Sequence, residues 1–137
     1  MSSRSVLVVE DFEPFRRFVC STLGEKPELQ IVGEASDGLH AVQKAQELKP
    51  DLILLDIGLP RLNGIEAASR ILRLVPGAKV LFVNHGNDAD VVTAALSDGA
   101  KGYVRKENAK TDLLPAVETV LRGDRFVSRG LHIEESP

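Results

Sequence analysis

Short hydrophobic runs alternate along this chain with longer stretches in which hydrophobic residues recur every three or four positions. Each run is typical of a buried β-strand, and each periodic stretch is typical of an α-helix with one apolar face. Strands that alternate with helices in this way favour a parallel sheet covered by helices on both faces. The predicted strands are Val6–Val9, Gln30–Ala35, Leu52–Asp56, Val80–Val83 and Gly102–Arg105.

Five helices are predicted, one after each strand, and local residues mark several helix ends. Pro14 suits the first turn of the first helix, and Pro50 follows the second. Gly99 can close the fourth helix in a left-handed conformation. Five βα units of short period predict an α/β, flavodoxin-like doubly wound fold, with a five-stranded parallel sheet in the order 2-1-3-4-5.

The hydrophobic periodicity fades from Gly123 onward. We therefore predict one domain over residues 1–126 and a tail, or the start of a linker, over residues 127–137. The whole chain has 137 residues, a length that suits one domain with a sizeable buried core.

Composition and charge exclude some classes of protein. The net charge is −3 and the 17 Lys and Arg residues are dispersed, so we expect no direct nucleic-acid binding by this chain. Before Glu10 the chain has too few apolar residues for a signal peptide or a membrane span. We therefore expect a cytoplasmic protein without a membrane contact.

Polar residues follow four of the predicted strands. Glu10 and Asp11 follow the first strand, Asp56 ends the third, Asn84 follows the fourth and Lys106 follows the fifth. The carboxyl ends of parallel strands share one edge of the sheet, where open α/β folds bind their ligands. Three carboxylates there repel one another unless a cation intervenes, which favours Mg²⁺. A carboxylate can also act as a covalent nucleophile for a phosphoryl group.

Each of these residues also has a purely structural interpretation. The pair Glu10 and Asp11 could cap the first helix, Asp56 could cap the turn that follows it, and Lys106 could be a solvated surface lysine. Separate structural roles do not explain well why all of these residues stand at the carboxyl ends of predicted parallel strands. We therefore interpret them as one site.

Four segments make the chain resemble the receiver domain of two-component response regulators, across essentially Val6 to Phe126. The Leu-Pro-x-x-x-Gly spacing after Asp56 is highly specific for that family. The segment Arg122–Ser128 resembles the junction between receiver and linker in the subfamily with a LuxR/NarL-type helix-turn-helix. The four matching segments are Val6–Asp11, Leu52–Gly64, Lys79–Val83 and Gly99–Lys106.

The resemblance implies a role for each site residue. Asp56 would be the phosphoacceptor, which takes a phosphoryl group from a sensor histidine kinase with Mg²⁺ as cofactor. Asp11 and Asp56 would ligate the metal, with help from Glu10 through water and from the backbone carbonyl of Gly58. Lys106 would pair with the phosphate.

Two residues depart from the family pattern, and one further residue belongs to its switch. Tyr103 would be the aromatic residue whose rotamer follows phosphorylation. Asn84 replaces the usual Ser or Thr, and His85 replaces a small residue. An Asn amide can donate to a phosphate, so we expect phosphorylation to persist. The longer side chain is expected to weaken the coupling between phosphate and Tyr103.

Three functions remain open at this point. The favoured one is a signalling module that catalyses only its own aspartyl phosphorylation and dephosphorylation, and that controls transcription through an output domain absent from this chain. The second is a phosphate-independent docking or dimerisation module, which Asn84 keeps open. The third, an aspartate-nucleophile phosphohydrolase, requires a second Asp where Gly58 stands. The resemblance also suggests a homodimer through the last two helices and the fifth strand.

Overall fold

The computed structural model describes residues 3–86 and 88–128, and the ends of its helices and strands follow the predicted pattern closely. A short 3₁₀ turn, Lys106–Asn108, precedes the last helix. The strands are β1 Arg4–Val9, β2 Leu29–Ala35, β3 Leu52–Leu55, β4 Lys79–Asn84, β5 Gly102–Arg105 and β6 Phe126–Val127. The helices are α1 Glu13–Leu23, α2 Gly38–Leu48, α3 Gly64–Leu74, α4 Ala89–Ser97 and α5 Ala109–Leu121.

All neighbouring strands pair in parallel, and the sheet has the order β2-β1-β3-β4-β5-β6. The α/β doubly wound fold and the order of the first five strands are therefore confirmed. The prediction of five strands is wrong, because Phe126–Val127 adds a sixth strand beside β5. Val127 thus belongs to the sheet, although it was predicted in the tail. The remainder of that predicted tail beyond Ser128 lies outside the described residues.

Strand β6 is held by more than its two residues. The backbone N–H of Phe126 donates to Lys101, and that of Ser128 donates to Tyr103. The Ser128 hydroxyl accepts from the backbone N–H of Arg105 and donates to Asp112 of α5. Two residues are too short to show a period of two, which is why the sequence pattern did not predict this strand.

Two apolar layers cover the two faces of the sheet. Alternate residues of β1 point into opposite layers, with Val6 in one and Leu7 in the other. Helices α1 and α5 pack on the first face, and helices α2, α3 and α4 pack on the second. Because β3 and β4 are covered on both sides, their residues are apolar at nearly every position.

The predicted helix signals are present in the structure. Pro14 lies in the first turn of α1. Gly99 has a φ of 99° just beyond the end of α4, a conformation in which a side chain would be strained. Within the described ranges, the helices are too short or too polar to cross a membrane.

Candidate functional site

Strands β1 and β3 bring two acidic residues side by side at the carboxyl edge of the sheet. Val9 and Leu55 are paired at the last position of their ladder, so the next residues, Glu10 and Asp56, leave the sheet together. The backbone N–H of Asp56 still donates to the carbonyl of Val9, at 3.1 Å. The backbone of Asp56 is therefore fixed to β1.

Three carboxylates meet at this edge, as predicted. One oxygen from each of Glu10, Asp11 and Asp56 lies within 4.8 Å of the others. Glu10 and Asp56 are 3% and 7% exposed, whereas Asp11 is open to solvent. A set made only of carboxylate oxygens, with one open side, fits a hard divalent ion such as Mg²⁺ that keeps several waters. These residues could hold a metal ion.

Lys106 brings a positive charge between two of these carboxylates. Its Nζ lies 2.6 Å from Oε1 of Glu10 and 3.4 Å from Oδ2 of Asp56. The ammonium also lies 4.8 Å from the ring centroid of Phe15 in α1. The carboxylates and the aromatic face all attract a cation, so Lys106 is held over the site with only 7% of its side chain exposed.

Glu10 has both carboxylate oxygens engaged. Oε1 pairs with Lys106, and Oε2 accepts from the backbone N–H of Phe12 at 3.0 Å. Burial raises the pKa of Glu10 above its ordinary value, and the charge of Asp56 adds to the rise. The hydrogen bonds from Lys106 and Phe12 oppose that rise in pKa without cancelling it.

Asp56 differs from Glu10 in having a free oxygen. Oδ2 lies near Lys106, while Oδ1 accepts a hydrogen bond from no group in the described parts of the chain. A carboxylate with one oxygen fixed by a cation and one oxygen free has the geometry of an available nucleophile.

Steric crowding requires a glycine at the last position of the Leu-Pro-x-x-x-Gly spacing, Gly64. Its backbone N–H donates to Ile57 at 2.7 Å, and it starts helix α3 directly against the Asp56 backbone. A Cβ on Gly64 would collide with the carbonyl oxygen of Asp56 and with the backbone of Ile57. Only glycine permits this close approach, so Gly64 fixes the loop between Asp56 and the start of α3.

Asn84 turns toward the aromatic residue rather than toward the carboxylates. Its Nδ2 donates to the hydroxyl of Tyr103 at 3.0 Å and to the carbonyl of His85 at 3.1 Å. Tyr103 is only 1% exposed, with its ring in the apolar layer of α2 to α4. Burial raises the pKa of Tyr103, although the hydrogen bond from Asn84 partly offsets the rise. The hydroxyl therefore points inward, toward Asn84.

Charged residues on either side of Lys106 form a second contact between the segments that follow β4 and β5, in addition to the one between Asn84 and Tyr103. His85 Nδ1 lies 3.4 Å from Oε1 of Glu107, and Arg105 donates to Oε2 of Glu107 at 2.9 Å. Burial opposes ionisation of Glu107, but hydrogen bonds from its own backbone, Arg105 and His85 outweigh it and lower the pKa. The side chain of His85 is 79% exposed, so this contact with Glu107 lies open to solvent.

The sequence-based site is therefore brought together in part. Glu10, Asp11, Asp56 and Lys106 converge, and Asn84 contacts Tyr103. Asp11 does not cap α1, because the N-cap position belongs to Phe12 without a side-chain hydrogen bond.

Gly58 and Arg16 also lie close to this site in the sequence or in the structure. The role of the Gly58 carbonyl stays a prediction. Arg16, which sequence reasoning missed, donates to the backbone carbonyl of Glu10 at 2.8 Å. No sequence signal marks that contact, since it depends on how α1 packs.

Comparison with known proteins decides the family. Residues 6–118 match the family described as the response regulator receiver domain. This chain belongs to that family. Similar curated proteins include the transcriptional regulatory protein DegU of Brevibacillus brevis, with 34% identity over 89% of this chain and 52% of that protein. The response regulator GacA of Pseudomonas viridiflava is 36% identical over 90% of this chain and 58% of that protein.

Solved structures agree with the receiver fold and with the predicted subfamily. A LuxR-family two-component response regulator from Aurantimonas sp. SI85-9A1 has a TM-score of 0.88 and 29% identity, covering 93% of this chain and 91% of that one. The response regulator domain of Thermotoga maritima CheB has a TM-score of 0.81 and 33% identity, covering 88% and 97%. The receiver domain described here spans little more than half the length of the curated relatives it matches.

Proposed function

We propose that this receiver domain accepts a phosphoryl group on Asp56 and so acts as the input of a phosphorylation-controlled regulator. The observation that carries the proposal is the free oxygen of Asp56 beside the cation of Lys106. Glu10 has no comparable oxygen, because both of its oxygens are already engaged. Asp11 is open to solvent and lacks a cationic partner among the described residues.

The transfer needs one bond to form and one to break. Oδ1 of Asp56 attacks the phosphorus of a phosphorylated imidazole, the P–N bond breaks, and the imidazole nitrogen keeps the electron pair and takes up a proton. Lys106 can follow the negative charge from the carboxylate to the phosphoryl oxygens. Water later attacks the acyl phosphate and returns Asp56 to a carboxylate with release of inorganic phosphate. The chain thus catalyses only its own modification.

A divalent metal fits the same proposal. Bound Mg²⁺ would neutralise the equatorial phosphoryl oxygens during transfer. Asp11 and Asp56 would hold it directly, Glu10 through water, and the carbonyl of Gly58 would complete the protein ligands. The carboxylate cluster supports this assignment, since one oxygen from each of its three acidic side chains lies within 4.8 Å of the others, and Lys106 pairs with only two of them among the described residues.

Incubation with acetyl phosphate and Mg²⁺, followed by intact-mass measurement, tests the proposal. We expect an adduct of about 80 Da, one phosphoryl group, that is lost in Asp56→Ala and in the presence of a chelator. Absence of any adduct from the folded wild-type domain would contradict it. Steady phosphate release from unrelated esters would instead favour a phosphohydrolase.

The wider role is proposed from the relatives. We propose a sensor histidine kinase as the phosphoryl donor, because the family match places this chain among receiver domains. Control of transcription through a further domain is proposed from DegU, which is described as a transcriptional regulatory protein and of which the matched region covers only 52%. The proposed homodimer through α4, β5 and α5 stays a prediction.

A second candidate function rests on the contact between Asn84 and Tyr103. The hydroxyl of Tyr103 is held inward by the amide of Asn84, a contact that uses no atom of Asp56, which favours a receiver whose docking surface depends little on phosphorylation. Beryllofluoride with Mg²⁺ mimics the phosphorylated state and can be followed by NMR. We expect Asn84→Ser to give a larger response at Tyr103 than the wild type. An equal, full response in both proteins would contradict the idea that Asn84 loosens the switch.

A further inference from the structure

Arg16 links three elements on the rim of the acidic site. From α1, its Nη1 donates to the backbone carbonyl of Glu10 at the end of β1, at 2.8 Å. Its Nε lies 3.1 Å from Oε1 of Glu34 in β2. Only 21% of the Arg16 side chain is exposed, so the guanidinium is largely enclosed between these partners. The two contacts use different nitrogens of one rigid plane, which fixes its orientation.

The contact with Glu10 fixes one particular peptide group. The N–H of Glu10 donates to Ala35 at 3.0 Å, which extends the ladder between β1 and β2 by one residue. The carbonyl of Glu10 has left the sheet, and Arg16 is its hydrogen-bond donor. That carbonyl belongs to the peptide that joins Glu10 to Asp11. Arg16 therefore fixes the orientation of the Glu10–Asp11 peptide plane, to which the Cα of Asp11 belongs.

Asp11 depends on this backbone more than its neighbours do. Glu10 and Asp56 have their carboxylates anchored by Lys106, at 2.6 and 3.4 Å. The Asp11 carboxylate has no hydrogen bond or ion pair to any other residue in ranges 3–86 and 88–128, and it is exposed. Its position near the other two carboxylates is consequently set by the peptide that Arg16 holds.

We propose that Arg16 is a positioning residue for the divalent-cation site, acting through the Glu10–Asp11 peptide rather than by touching the metal. The inference rests on the proposed function, because it concerns the metal ligand Asp11. Supporting groups that orient metal ligands commonly change affinity by about 10- to 100-fold when they are removed.

The sign of the effect separates positioning from simple electrostatics. Arg16 carries a positive charge near a site for a cation. If its charge were its main influence, its removal would strengthen Mg²⁺ binding. If it positions Asp11, its removal weakens binding even though a like charge has gone. The two explanations therefore predict opposite changes in the dissociation constant.

The experiment is a titration of the whole chain with MgCl₂, followed by backbone amide NMR and calorimetry. We expect Arg16→Gln to raise the Mg²⁺ dissociation constant about tenfold. Arg16→Lys keeps the charge and one donor, so it should recover part of the affinity. Arg17→Gln is the matched control: it makes the same charge change on α1, but Arg17 is 78% exposed and pairs with Glu13. Its dissociation constant should stay within about twofold of the wild type.

Each result has a defined meaning. An Arg16→Gln variant that folds and binds Mg²⁺ as tightly as the wild type, or more tightly, overturns the positioning role. If Arg16→Gln does not fold, Arg16→Met takes its place, because its side chain also lacks the donor to the Glu10 carbonyl, and unchanged affinity there overturns the positioning role. A wild type that binds no Mg²⁺ overturns both this inference and the metal part of the proposed function. Wild-type Mg²⁺ binding without any phosphoryl adduct overturns the proposed function alone.

Discussion

The hydrogen bond from Asn84 to Tyr103 gives a prediction with a defined sign. Asn84→Ala removes the donor to a hydroxyl in a side chain that is only 1% exposed. A buried hydroxyl without its partner costs about 1–2 kcal/mol, which corresponds to a factor of roughly 5–30 in an equilibrium. We expect the ratio of inward to outward Tyr103 to fall by that factor, because the outward hydroxyl can bond to water.

Tyr103 can be observed without labelling. It is the only tyrosine, and the chain has no tryptophan, so tyrosine fluorescence and absorbance report on this residue alone. We expect Asn84→Ala to increase quenching by acrylamide. We also expect the pKa of Tyr103, which burial raises in the wild type, to fall toward its ordinary value of about 10 in a spectrophotometric titration.

The direction of the pKa change is the decisive result. The amide of Asn84 lowers the pKa of Tyr103, so its removal from a ring that stays buried would raise the pKa further. A higher pKa of Tyr103 with unchanged acrylamide quenching would therefore show that the ring stays inward without the amide of Asn84, which contradicts the prediction. Asn63→Ala is the control, since it removes the side-chain cap that accepts from the backbone N–H of Glu66 in α3, costs about 1 kcal/mol and leaves the hydrogen bond between Asn84 and Tyr103 in place. It should leave both signals unchanged.

Three further predictions concern stability and can be checked by denaturant or thermal unfolding. Gly64→Ala should lower the free energy of unfolding by about 3 kcal/mol, since its Cβ would meet backbone atoms of Asp56 and Ile57. Ser128→Ala should cost about 1 kcal/mol by removing the hydroxyl that accepts from the backbone N–H of Arg105 and donates to Asp112, and a cost near zero would contradict the anchoring of β6 by this side chain. The raised pKa of Glu10 means that the folded state binds more protons than the unfolded state, so this group's contribution to stability should fall as pH rises above its ordinary pKa. Measured without metal, Glu10→Gln should flatten that decline, and an equally steep decline would contradict it.

The individual strands and the acidic edge could be predicted from local patterns, and the order of the first five strands followed from the doubly wound fold class that those patterns indicate. Leu52–Leu55 is apolar at every position, and only a strand buried on both faces requires that. Asp56 then had to lie at the carboxyl edge of a parallel sheet. The positions of Glu10, Asp11 and Lys106 followed from the same reasoning about neighbouring strands.

What the sequence left out depends on packing between distant segments. Strand β6 is two residues long and lies close against Gly102, where a Cβ would meet the side chains of Leu81 and Val120 and crowd the backbone of Phe126. The contact of Arg16 with the Glu10 carbonyl depends on how α1 lies against β1 and β2. An isolated arginine in a helix carries no sign of such a role.

The orientation of Asn84 was also beyond the sequence. An amide after β4 could have turned toward Asp56 or toward β5, and both choices satisfy its donor. The structure directs it to Tyr103. Weaker coupling between the phosphate and Tyr103 stays a prediction, and the hydrogen bond between Asn84 and Tyr103 is the contact through which it would arise.

Whether Asp56 is the nucleophile is decided by locating the phosphoryl group on the phosphorylated protein. Borohydride reduces an acyl phosphate to an alcohol, so reduction after phosphorylation and peptide mass spectrometry mark the modified carboxyl group. We expect one modified position, Asp56, with Glu10 and Asp11 unchanged. Modification of Glu10 or Asp11 in its place, with Asp56 intact, would contradict it.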